Sequence, residues 1–93
     1  MWYTSSCGRV EFEITKEQAY SGSHSGPCDA DIAALRTVPK IRRQLNKINS
    51  EVLKEELRGY GAWDDNELLD HNLNLDRILW LACNDIVDNL HTR

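Results

Sequence analysis

Residues 9–15, RVEFEIT, alternate strictly between apolar and polar side chains. Val10, Phe12 and Ile14 fall on one side of an extended chain, Glu11 and Glu13 on the other, which is the two-residue period of a half-buried strand. A strand with one dry face has to set that face against something. Upstream, MWYT at 1–4 is rich in strand formers and SSCG supplies turn residues, so the pattern predicts a short hairpin. An isolated hairpin is marginal in water. It must pack on helices or pair with another chain, and the remainder of the sequence reads as helical.

Thr15 followed three residues later by Gln18 matches a capping box, with Ala19 facing inward on a short helix. SGSHSG at 21–26 breaks it. After Pro27, Ile32, Ala33 and Leu35 supply an apolar face, and Asp29 and Asp31 suit the positive end of a helix dipole. Pro39 interrupts that face and fits the first turn of the next helix, expected over about 39–48 with Ile41, Leu45 and Ile48 on one side. Ser50 is the expected N-cap of a further helix carrying Val52, Leu53 and Leu57, which Gly59 and Gly61 stop. Asp64 and Glu67 form an acidic capping box at the start of the last element. Beyond it Leu69, Leu73, Leu79, Ala82, Cys83, Ile86 and Leu90 recur at helical spacing, as one helix or as two joined near Asn72–Asn74.

The expectation is therefore an α+β domain, predominantly helical, in which a short N-terminal β-hairpin packs on a bundle of four to five helices over residues 1–93. A length of 93 residues is one domain's worth and leaves little stability to spare for a large cleft. Apolar content of 41% and charged content of 28% are those of a folded chain. No apolar run approaches the roughly 20 residues that span a bilayer. MWYTSSCGRV lacks the basic start and apolar centre of a signal peptide. Three cysteines, none in a CxxC, do not make a disulfide framework. These features place the protein in the cytoplasm, away from membranes.

SHSGPCDADI at 23–32 crowds His24, Cys28, Asp29 and Asp31 into ten residues. Imidazole, thiolate and carboxylate all bind zinc, but a structural site needs a second ligand pair, and His71 and His91 stand alone. A Cys28 thiolate at a helix start, with His24 as its base, is the catalytic alternative. A helix start with a pinned loop accounts for every residue: Gly22 and Gly26 permit unusual backbone angles, Asp29 caps, and Cys28 packs as a small hydrophobe. The reading is no metal, no cofactor and no enzyme.

Charge is uneven. Residues 1–50 carry a balance of +2 and residues 51–93 of −6, within a net −4. Arg36, Lys40, Arg43 and Lys47 form a basic stripe that could track phosphates. Its common role is the solvated side of an amphipathic helix, and the acidic chain argues against nucleic acid. Asp64, Asp65, Glu67, Asp70 and Asp76 are the densest charge feature. They are expected to be exposed at a helix start and to meet a basic surface on a partner protein, with Asp64 reserved for capping. Trp63 is expected to cover the core and Trp80 to lie at the edge of the last helix's apolar face.

SHSGPCDADI and YGAWDDNELLDHNLNLDRILWLACNDI together resemble small orphan proteins of bacteriophages and other mobile elements. The resemblance covers about 40 residues and implies no catalytic motif. It implies a non-enzymatic inhibitor or regulator acting by protein binding in the host cytoplasm, of the anti-defence kind that includes anti-CRISPR proteins. A small nucleic-acid-binding regulator using residues 36–47 is the competing class.

Overall fold

The computed structural model describes residues 2–5, 8–19 and 29–91, with the backbone alone for 89–91. Strand β1 (Trp2–Thr4) and strand β2 (Glu11–Glu13) pair antiparallel, with Tyr3 opposite Phe12. Helices follow at Lys16–Ala19 (α1), Asp29–Thr37 (α2), Pro39–Asn46 (α3), Ser50–Gly59 (α4) and His71–His91 (α5), with a single 3-10 turn at Glu67–Leu69. The fold is α+β and mostly helical, as the patterning requires. His24 and Cys28 lie outside the described residues, so the reading of 23–28 is not addressed by it.

Alternation sets which side of the hairpin is dry. Tyr3, Val10, Phe12 and Ile14 are buried, while Trp2 remains 63% exposed. The Tyr3 and Phe12 rings meet at 5.5 Å between centroids. Gly8 makes the turn at φ 77°, a left-handed backbone that favours glycine. Ser5 closes it, its carbonyl accepting from Gly8 N–H and its hydroxyl from Val10 N–H. Gln44 of α3 then treats the β2 edge as another strand would: its Oε1 accepts from Glu13 N–H at 2.8 Å and its Nε2 donates to the Glu13 carbonyl at 3.0 Å. A side chain thus covers an edge that could otherwise pair with a second chain.

One continuous apolar cluster runs from the hairpin through Ile32, Leu35, Ile41, Leu45, Leu53 and Leu57 to Leu75, Ile78, Leu79 and Ile86 of α5. Each fully buried aliphatic side chain contributes about 1.5–3 kcal/mol relative to exposure. The hairpin is also held by polar ties. Arg9 reaches α4, where Nε donates to Glu56 at 3.0 Å and Nη1 to Glu55 at 2.9 Å. Glu56 is fully buried, and an ionised carboxylate there requires such a partner. The Tyr3 and Tyr60 hydroxyls bond at 2.7 Å. Burial, then that bond, holds the Tyr3 hydroxyl well above the ordinary tyrosine range.

The helix starts follow local chemistry, with two corrections. Thr15 and Gln18 form the expected reciprocal capping box, and Pro39 opens α3 behind an extended Val38. Helix α4, however, is capped by Asn49 rather than Ser50: Asn49 Oδ1 accepts from Glu51 and Val52 N–H, and Ser50 is the first helical residue. Asn and Ser cap about equally well, so sequence alone does not choose between neighbours. The second correction concerns the last element. Asp64 and Glu67 bond reciprocally as expected, but they close the turn that leads into the 3-10 segment at Glu67–Leu69 rather than opening α5. Helix α5 begins afresh behind Asp70, whose Oδ1 accepts from Asn72 and Leu73 N–H. The break therefore falls at Asp70, not at Asn72–Asn74, and 71–91 is one helix. Asn74 does not weaken it. That residue is buried, and its amide donates to the Leu68 carbonyl at 2.9 Å while accepting from Arg77 at 2.8 Å, pinning the turn to the helix.

Candidate functional site

The phase of α5 decides what the molecule leaves open. Leu75, Ile78, Leu79, Ala82, Cys83, Ile86 and Val87 are buried and recur every three or four residues. At 100° per residue, Leu73 and Trp80 share a line about 100° or more from Leu75, Ile78, Leu79, Ala82 and Ile86, while Val87, two turns beyond Trp80 on that same line, is buried. Accordingly Leu73 is 48% exposed, Trp80 45% and Leu69 71%. The expectation that Leu69 and Leu73 belong to the core is overturned, because Leu75 and Ile78 occupy the inward phase instead. Trp63 is half-buried against the core, in keeping with a covering role.

Leu73 and Trp80 form one wall of an open groove of about 750 Å³ between α5 and α2, with Ile32 and Ala33 opposite and Trp63 at one side. Its polar lining is mainly cationic: Arg36, Arg42 and Arg77 against Asp29 and Asp76. Arg36 donates to Asp76 at 3.1 Å and to the Asn72 carbonyl at 3.3 Å. Arg77 lies over the Trp63 ring, 5.5 Å from its centroid, and donates through Nη1 to the Glu67 carbonyl. Its cation is thereby fixed in place by a ring face and a backbone acceptor. Arg42 is exposed and has no ion-pair partner among the described residues. Tryptophan and arginine around a partly dry groove are the composition of binding hot spots. Sequence reading missed the groove because it placed Leu73 inside and left Arg42 and Arg77 unassigned. The phase of 75, 78, 79, 82 and 86 was the available signal.

The acidic residues proposed from the sequence are brought together only in part. Asp64, Asp65, Glu67 and Asp70 are exposed around the 3-10 turn, and Asp76 lies apart in the groove. Most of them are already engaged. Asp64 and Glu67 bond each other's backbone N–H, Asp70 caps α5, Asp65 accepts from Arg58 at 2.9 Å, and Asp76 holds Arg36. Of the four acids around the turn, only Asp65, with a side chain 72% exposed, carries no side-chain bond to backbone among the described residues. The basic stripe is likewise divided. Arg36 pairs with Asp76 and Lys40 with Glu13, leaving Arg43 and Lys47 exposed and without ion-pair partners among the described residues. The Lys40 ammonium holds the Glu13 carboxyl below its usual range.

Two further groups bear on chemistry. Cys83 is buried on the inner face of α5, and burial pushes its thiol up to about 11, so it stays protonated at neutral pH. His71, at the start of α5, has a buried Nδ1 with no hydrogen-bond partner among the described residues. No helix of the described residues is long and apolar enough to cross a membrane. Neither a protein family, a curated protein nor a solved structure matches the chain.

Proposed function

We propose that this chain is a non-enzymatic protein-binding inhibitor or regulator, of the phage anti-defence kind, that engages a host protein in the cytoplasm. The observation that carries the reading is the groove: Leu73 and Trp80 are left half-exposed beside three arginines in a small domain that needs its large side chains inside. The acidic turn at 64–70 flanks the start of α5 and meets a basic surface of the partner, while the arginine-lined groove beside it takes the partner's apolar and acidic side chains. Opposed fields of this kind act mainly on the association rate.

The test is affinity capture from host lysate, run in parallel with the parent chain and with a Leu73→Ala, Trp80→Ala double variant. A protein retained by the parent and lost with the variant is the expected result. With that partner purified, Asp65→Lys slows association at low salt and leaves it unchanged at high salt. Identical captured sets from both chains would sink the reading. Duplex DNA retarded at low salt and released steeply as salt rises would replace it with the nucleic-acid class, acting through Arg42, Arg43 and Lys47.

A further inference from the structure

We infer that the groove face of α5 also pairs with a second copy of this chain, antiparallel and about a two-fold axis. Leu73, Asp76, Arg77 and Trp80 lie at the outer phase of α5, and their order is its own complement when reversed: apolar, acid, base, apolar. An antiparallel partner in that register sets Leu73 against Trp80 of the other copy, and Asp76 against its Arg77, twice over. A two-fold interface requires such reciprocity, since residue i meets j and j meets i. Antiparallel helices also bring opposite dipole ends together.

The groups are prepared for this contact. Leu73 and Trp80 are 48% and 45% exposed, and seven residues of helix set them about 10 Å apart, two turns on one side. Asp76 uses Oδ1 for Arg36, and Oδ2 has no partner among the described residues. Arg77 makes its intramolecular hydrogen bonds through Nη1, so Nε and Nη2 stay available, and Trp63 holds the guanidinium in place. Little side-chain freedom is then lost on pairing, which favours binding by preorganised groups. The open volume between α2 and α5 receives the indole of the other copy. This inference rests on reading the groove as a docking face, and it makes self-association and partner capture compete for that face.

Sedimentation equilibrium of the pure full-length chain tests it. A concentration-dependent monomer–dimer equilibrium is expected, with Trp80→Ala weakening the dimer about thirtyfold or more. Asp76→Arg and Arg77→Asp, each alone, place like charges at the axis and should be monomeric. Mixed, one chain presents two cations and the other two carboxylates, so the mixture should dimerise. Circular dichroism establishes that each variant is folded. Monomer at every concentration, a dimer indifferent to Trp80→Ala but lost with Trp2→Ala, or a mixture that stays monomeric would each overturn the inference. No partner is present in these experiments, so a monomeric result leaves the proposed function standing, and a failed capture leaves the dimer standing.

Discussion

Leu79 and Trp80 are neighbours in sequence and opposites in role. On the inner face of α5, Leu75, Ile78, Leu79, Ala82, Cys83 and Ile86 are buried against the hairpin and the other helices. On the outer face, Leu73 and Trp80 stand beside Asp76 and Arg77 and line a groove that no described residue fills. Both faces contain large apolar side chains. What separates them is angular position about the axis, with the inward side set by packing on the core. The same helix therefore buries one face in the core and leaves the other at the surface, and a substitution's effect on stability is read from its angle about the axis rather than from its residue type.

That division has measurable consequences. Leu79→Ala leaves a cavity in the apolar cluster and should cost about 2–5 kcal/mol in urea unfolding, whereas Trp80→Ala should cost less than about 1 kcal/mol. Equal costs would erase the distinction between the faces. Cys83 sharpens it from within. Its thiol ionises near 9.0 when unfolded and near about 11 when folded, so the native state holds its proton over a pH range where the unfolded chain has released it. Its contribution is whole below pH 9 and is lost as pH rises through 11, on the order of 3 kcal/mol in all. Cys83→Ala should flatten that part of the stability profile, and an unchanged alkaline slope would place the thiol in contact with water. The smallest effect belongs to the residue that caps α5. Asp70→Ala removes the α5 cap and should cost about 1 kcal/mol by thermal melt while partner capture persists. Loss of capture in a folded Asp70→Ala chain would move Asp70 from the scaffold into the contact.

Much of the scaffold was legible because its signals are local. Alternation over 9–15, the Thr15–Gln18 box and Pro39 each depend on residues a few positions apart, and each appears where expected. The acidic turn was legible as a cluster but not as a set of bonds. Whether Glu67 and Asp70 are free carboxylates or caps depends on the backbone angle at Asp70, where ψ of 108° ends one helical turn and lets the next begin. That angle is fixed by Asn74 and Arg77, which hold the Leu68 and Glu67 carbonyls from a turn beyond. The groove was missed for a different reason: Leu73 was grouped with Leu79 and Cys83 by its spacing, although 100° per residue sets it well away from Leu75, Ile78 and Leu79. Charge reversal of Glu67 or Asp70 would consequently disturb the fold, whereas Asp65 makes only an exposed ion pair with Arg58.

The hairpin's ties run far along the chain, and that has a consequence for how the protein is made. Arg9 waits for Glu55 and Glu56, Tyr3 for Tyr60, Glu13 for Gln44, and β1 packs against α5. The two strands leave the ribosome before any of these partners exist. At about 5–20 residues per second, the dry side of Val10, Phe12 and Ile14 stays uncovered for several seconds of synthesis. Glu11 and Glu13, on the opposite side of the strand, put charge into every growing hairpin during that interval, and like charge on two nascent chains keeps their bare edges apart.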